Sequence, residues 1–555
     1  MLTRRNIFTC FLLLLLAGTF FAQTESDTLF VPAVDDDGDY IVNSLIEYIV
    51  GDTSSAGEQL HSVYKLERGQ FYLLDQALDI KNPLEIYAEP PVDGDETKIP
   101  PRILSNITGE GGTATGTLIS TWADITVKNI WLGGIDLGGQ NRGWDEGQAL
   151  NVQDSNVTVR MDGVWVDYNG WSVFATSQPH TKWFVNNLHA RNEQNTGDVW
   201  TTFLFYMENA GVLDTLVLTN STYFQANGFV IHSPATINYF EIDHCTFVNT
   251  LKWPFHHTKW LNAKFTNNIF YNVGAMSLTA EEQLTQDPDG LPYSLINVDT
   301  LNANEANDTT GIAGIPENQR TIIVKNNLYY FSDGVQQYWA DNSAVSDQLW
   351  MNSRTEAMFN NDAVWPGLEA ENNWNVDPLF NDFSALSEPV AKLVATCVNY
   401  RAGSYAEWDW DSDQASDQTY YKILVGTFPL AENFKSYTDL EGTDGLPLGD
   451  LNYYGIDTDV KLEDSGIPTQ FELSQNYPNP FNPSTTIKFS VPEANNVILK
   501  VYNILGQEVK TLVNQQMAAG AYTVNFDASH LASGMYIYSL QSGSFSVTKK
   551  MMLLK

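Results

Sequence analysis

The chain has 555 residues, with 67 Asp and Glu against 29 Lys and Arg, for a formal net charge of −38. So acidic a surface excludes nucleic acid and anionic lipid as partners, because phosphates need Lys and Arg to neutralise them. The 15 Trp, 26 Tyr and 28 Phe exclude extended disorder, and the length sets roughly two to four domains unless one is a repeat array.

At the start, Arg4 and Arg5 precede an almost wholly apolar stretch over residues 8–21, and Ala22 offers a small residue for cleavage. This is the pattern of a secretory signal over residues 1–22, with an apolar run too short for an anchor. No later segment is apolar over roughly 18 residues, so the mature chain is expected to have no transmembrane segment. Loss of Cys10 with the signal leaves only Cys245 and Cys397. Two cysteines make no disulfide framework, and nothing local requires them to pair. In the N-terminal segment 23–59, Ser44 stands three residues before Glu47 and ahead of an apolar run. That capping-box spacing predicts a short helix, placed to close the open end of a repeat array that begins near residue 60.

From about residue 60 to 385 one phrase recurs: an alternating strand, a small polar residue, then an aromatic. It reads Ile125-Thr-Val-Lys-Asn129-Ile-Trp131, Val157-Thr-Val-Arg-Met-Asp-Gly163-Val-Trp165 and Trp183-Phe-Val-Asn-Asn187-Leu-His189. It returns with its polar position at Ser221, Cys245, Asn268 and Asn327. A period near 24 residues with longer intervals is a solenoid whose rungs carry inserted loops. Asn tolerates left-handed turns and can bond to the same amide one rung away, and Asn249 and Asn272 are one expected pair. The insertion over 275–319 is expected to protrude. Residues 386–470 are less regular and read as a tail across the last rungs, then a linker.

Residues 471–555 open Phe471-Glu-Leu-Ser-Gln-Asn-Tyr477-Pro478-Asn479-Pro480-Phe481-Asn482-Pro483 and continue through Gly506, Gly534 and Tyr536. Short alternating strands separated by Gly, Asn and Pro turns predict a small β-sandwich. The proline-rich stretch 477–483 reads as a rigid lead-in and not a central strand. The fold class is thus all-β, a solenoid succeeded by a small immunoglobulin-like sandwich.

The chain carries two resemblances. The rung pattern is similar to the right-handed parallel β-helix of the pectin-lyase-like superfamily, and Asn375-Val-Asp-Pro-Leu-Phe380 resembles a phrase near the end of such helices. Segment 471–555 resembles the type A sorting domain of the bacterial type IX secretion system. The second resemblance implies that the secretion machinery is a partner, that export proceeds from the periplasm, and that the protein is secreted or held at the cell surface. The first implies a polysaccharide partner, met in a groove along one face by a lyase or a hydrolase, or else a non-catalytic protein that binds glycans or builds the cell envelope.

The stretch richest in suitable side chains is Lys252-Trp253-Pro-Phe-His256-His257-Thr-Lys259-Trp260. Sugar rings stack on aromatic faces, and a lyase needs a cationic or imidazole base, so Lys252, His256, His257 and Lys259 are the candidates for catalysis. Trp253 and Trp260 are candidates for substrate binding, with His232, which lies 24 residues before His256. Ile242-Asp-His-Cys-Thr-Phe247 is similar to a pectate-lyase phrase, but no Arg-x-Pro-x-x-Arg comes after it, so Asp243 and His244 read as structural. Ca²⁺ is a possible cofactor at Asp35-Asp-Asp-Gly-Asp39 or Asp287-Pro-Asp-Gly290. Asp409, Asp411 and Asp413 mimic the start of a calcium loop without completing it.

Overall fold

The computed structural model describes residues 28–554 apart from 56, 91–98, 108–114, 135–136, 138–146, 194–201, 208–210, 227, 234–235, 257–258, 280–290, 292–293, 302–315, 343–349, 381–386, 404–435, 437, 439, 455–459, 464–470, 492–494, 518–519, 529–530 and 543–544. The expected signal at 1–22 and the acidic turns at Asp287, Asp409, Asp411 and Asp413 lie outside the described residues.

Three parallel sheets build the body. Sheet I has eleven strands, from Thr28–Phe30 to Leu368–Glu371. Sheet II has ten, from Phe71–Leu74 to Trp374–Asn375, and sheet III has seven, from Leu78–Ile80 to Phe255–His256. The chain visits them cyclically, as in Phe229–His232, Thr236–Asp243 and Thr246–Thr250. Each strand then pairs in parallel with its counterpart one rung on, Phe240 opposite Ala263 and Phe247 opposite Phe270. This is the β-helix solenoid expected from the period. One rung cannot bury its apolar face, so Leu216, Phe240 and Ala263 stack along the axis as part of a continuous core. The rings of Phe247 and Phe270 lie 5.1 Å apart and nearly parallel.

The corner from sheet I to sheet II is a two-residue turn whose first residue has positive φ at Asn129, Gly163, Asn187, Asn220, His244, Asn267, Asn326 and Asn372. The polar positions at 129, 163 and 187 hold this place. Those at 221, 245, 268 and 327 are the second residue of the turn, one step later than the period alone had aligned them. That second residue builds a ladder of amides. Asn268 Oδ1 accepts from the Cys245 backbone N–H at 2.8 Å, Asn268 Nδ2 donates to Asn327 Oδ1 at 2.9 Å, and Asn327 Nδ2 donates to Asn373 Oδ1 at 2.9 Å. The expected pair forms inside sheet II, where Asn272 Nδ2 donates to Asn249 Oδ1 at 3.0 Å.

Residues 46–50 form a short helix that buries Ile49, with Leu45 just before it, against the first rungs. The capping-box reading is corrected: Ser44 is itself buried, and its hydroxyl finds no hydrogen-bond partner among the described residues. The insertion over 275–319 is also corrected in its described part. Leu295, Ile296 and Val298 join the main core instead of protruding. Helices Asp333–Asp341 and Ser387–Arg401 contribute Tyr338, Trp339, Leu393 and Cys397 to that core, which continues beyond the last strand of sheet III. Cys245 and Cys397 are both buried and free.

Residues 440–454 cross the outer face of sheet II. Leu448 packs with Phe224, Val248, Ile269 and Leu328. The Thr222 hydroxyl donates to Asp450 Oδ2 at 2.7 Å, and the Asp450 N–H donates to Thr246 Oγ1 at 2.9 Å. The C-terminal sandwich has two four-stranded antiparallel sheets around a separate core that includes Ile487, Leu499, Phe526 and Leu540.

Candidate functional site

The 252–260 stretch does not form one open loop. Lys252 and Trp253 are each 1% exposed and Trp260 is wholly buried. The Lys252 ammonium lies 5.5 Å from the Trp253 ring centre. Trp260 sits among Phe240, Phe255 and Phe265, its ring centre 4.8 Å from that of Phe265, and its carbonyl accepts from Arg320 Nε at 2.7 Å. It turns into the core because the alternation of its strand points that position inward, so it offers no face to a sugar. His256 and Lys259 occupy strands Phe255–His256 and Lys259–Thr266. His257 lies outside the described residues.

His232 and Trp253 do come together, on the outer face of sheet III, with four aromatics that sequence reasoning missed. Phe203 stacks on Phe229 at 5.6 Å, and Trp253 meets Phe229 edge-on at 5.3 Å. Over this buried base lie three partly exposed rings. Tyr206 stacks on His232 at 5.4 Å with planes 13° apart, and Trp171 meets Tyr206 at 5.7 Å. The register places Tyr206 beside His232 and His232 beside His256. Counting rungs backwards from His232 would have found Tyr206. On preceding rungs the same face turns polar: Thr117 Oγ1 donates to Gln148 Oε1 at 3.1 Å, Gln148 Nε2 to Ser172 Oγ at 3.2 Å, and Asn151 Nδ2 to Gln148 Oε1 at 2.8 Å.

His189 and Arg191 belong to sheet II and stand apart from this patch. There Arg102 lies 4.0 Å over Trp131, whose indole donates to Asp167 Oδ1 at 3.0 Å, while Arg191 is 3.7 Å from Asp167 Oδ2. Burial pushes the Asp167 carboxyl up, against the pull of Arg191 and Trp131. Burial lowers the His189 imidazole to about 4, so it is neutral. His244 holds the crossing segment, its Nε2 3.0 Å from Asp444 Oδ2 and its Nδ1 3.2 Å from the Gly449 carbonyl, while Asp243 Oδ1 accepts from Asn267 Nδ2 on the next rung at 2.9 Å. Among the described residues no group of three or more His, Cys, Asp or Glu is placed to hold a metal ion. At the first acidic turn, Asp35 Oδ1 accepts from the N–H groups of Asp37 and Asp39 and so folds its own loop. No described helix is long and apolar enough to cross a membrane.

In the sandwich, residues far apart in sequence converge at one end. The 477–483 loop is pinned to the last strand: Phe481 N–H donates to the Met552 carbonyl at 2.9 Å, Leu554 N–H returns a bond to the Phe481 carbonyl, and Asn479 Oδ1 accepts from Met552 N–H. The Pro478 carbonyl accepts from Thr485 Oγ1 and the Pro483 carbonyl from Ala528 N–H, fixing a loop that also contains Pro480 and Asn482. Gly506 turns a neighbouring hairpin at φ +77°, and Gly534 begins the strand on which Tyr536 lies opposite Asn503. Tyr477 is 82% exposed, with Ile504 at 69% and Leu505 at 78% on the hairpin tip.

A search of curated proteins found no match. Among solved structures, the X-ray structure of the endo-beta-1,4-mannanase from Thermotoga petrophila is 10% identical, and the match covers 53% of this chain and 47% of that one. Its TM-score of 0.11 carries no argument. Residues 475–554 match the family described as the Secretion system C-terminal sorting domain. The converging loop, hairpin and last strand are thus those of a sorting domain of the type IX route, by which this chain is exported.

Proposed function

We propose that this is a secreted or surface-held β-helix protein of pectin-lyase-like type that engages extracellular polysaccharide on the outer face of sheet III. In this reading 1–22 is the signal and 23–59 an N-terminal segment that also lends its strand Thr28–Phe30 to the body. Residues 60–385 are the β-helix, 386–470 the tail and linker, and 471–555 the domain that meets the secretion machinery. The observation that carries the proposal is the cluster of Trp171, Tyr206 and His232, which keeps partly exposed rings over an outer sheet face. Aromatic side chains left at a surface in a row are costly unless a ligand uses them. Binding is favoured over catalysis because Lys252 is buried. The test is retention of the mature protein on columns of uronic and neutral polysaccharides, with and without Ca²⁺. Retention on at least one is expected, and passage through all of them would overturn the proposal. Unsaturated product absorbing in the ultraviolet would add a lyase activity, and new reducing ends a hydrolase activity.

A further inference from the structure

The ligand's chemistry can be narrowed from the same face, an inference that rests on the polysaccharide reading. The outer rows of sheet III hold Thr117, Gln148 and Ser172 on one side and Asn151, Tyr206 and His232 on the other. These are hydroxyls, carboxamides, a phenol and an imidazole. Sheet I differs: its outer rows pair Lys128 with Glu85, Lys264 with Glu241 and Lys325 with Glu369. A uronic acid polymer would meet no described Lys or Arg in those sheet III rows, and a chain of net charge −38 would repel it. An uncharged polymer meets no such repulsion, and its hydroxyls both donate to and accept from carboxamides.

Direction comes from the repeat. The rings of Tyr206 and His232 succeed one another on adjacent strands along the solenoid axis, and Trp171, just before the preceding strand Ser172–Thr176, brings its ring against Tyr206. Rungs are ~4.8 Å apart, close to the advance per pyranose of an extended β-1,4-linked chain. We propose that sheet III binds an uncharged, extended β-linked glycan lying along the solenoid axis, one sugar per rung, with the pyranose rings against the aromatic rows and the hydroxyls on the carboxamide end.

The test titrates the full mature chain calorimetrically with β-1,4-linked gluco- and xylo-oligosaccharides of increasing length, and with oligogalacturonates of the same lengths, at low and high salt. Neutral oligosaccharides should gain affinity with each added sugar up to about four, one for each of the strands carrying Ala175, Tyr206, His232 and His256. Affinity should then level off with little salt dependence. Tyr206→Ala should lose at least tenfold in affinity, with its melting curve recorded to confirm folding. His232→Ala, which removes a smaller ring, should lose less in the same direction. Tighter binding of oligogalacturonates than of neutral chains, or affinity independent of length, would overturn the inference while leaving the polysaccharide reading in place. Silence with every oligosaccharide would overturn both.

Discussion

At the residue scale, the solenoid depends on side chains that accept a left-handed backbone. Seven of the eight corner turns from sheet I to sheet II use Asn or Gly, residues that tolerate positive φ at low cost. Gly163 has a second reason: a Cβ there would lie 2.4 Å from Asn129 Oδ1, so a side chain would fit only if the Asn129 amide moved aside. The exception is His244, whose ring bonds to the crossing segment through Asp444 and the Gly449 carbonyl. Phe270 shows the same precision in the core, stacked on Phe247 and wholly buried. Phe270→Asp should cost about 3–5 kcal/mol or prevent folding, since an unpaired carboxylate would be buried in apolar surroundings. A thermal melt unchanged from wild type would show that this side chain does not face the core.

At the element scale, the segment over 440–454 rests on titrating groups. Burial raises the Asp450 carboxyl to about 7, against the bonds from Thr222 and Asn452 that favour its anion. Burial also works to lower the His244 imidazole, but Asp243 and Asp444 outweigh it and the net shift is upward. Both groups hold protons in the folded state that the unfolded chain releases sooner. Stability from this region should therefore fall as pH rises from the ordinary carboxylate range through neutrality. The Asp444 carboxyl, drawn down by His244 against its own burial, works the other way and loses its contribution in acid. Asp450→Asn should flatten the fall in melting temperature between pH 5 and 8 and raise the melting temperature at the upper end. An unaltered pH profile would remove Asp450 from this account.

At the scale of the whole molecule, the body and the sandwich have separate hydrophobic cores, and the sorting-domain match lies in the second. Deleting 471–555 should leave the body folded and held in the periplasm of a competent host. Fractionation that finds the truncated protein at the surface would show that the address lies elsewhere. The family match covers residues 475–554, and the proposed activity belongs to the exposed face of sheet III.

The sequence by itself determined the rung repeat, the β class and the sorting domain, because each rests on local alternation or on motifs contiguous in the chain. It also foretold the Asn249–Asn272 bond, since residues one period apart must stack. It left the lysines and tryptophans of 252–260 between two readings, a sugar groove and a loop whose aromatics seal the solenoid, because their density carries no information about which way a side chain points. Only the tertiary structure decided that Trp260 turns inward while His232 remains partly exposed. That choice depends on strand phase within each rung, and the inserted loops shift the phase. The same holds for Trp171, Tyr206 and His232, which become neighbours only when the rungs stack. It holds too for the seating of Asp450 against Thr222, a bond spanning 228 residues.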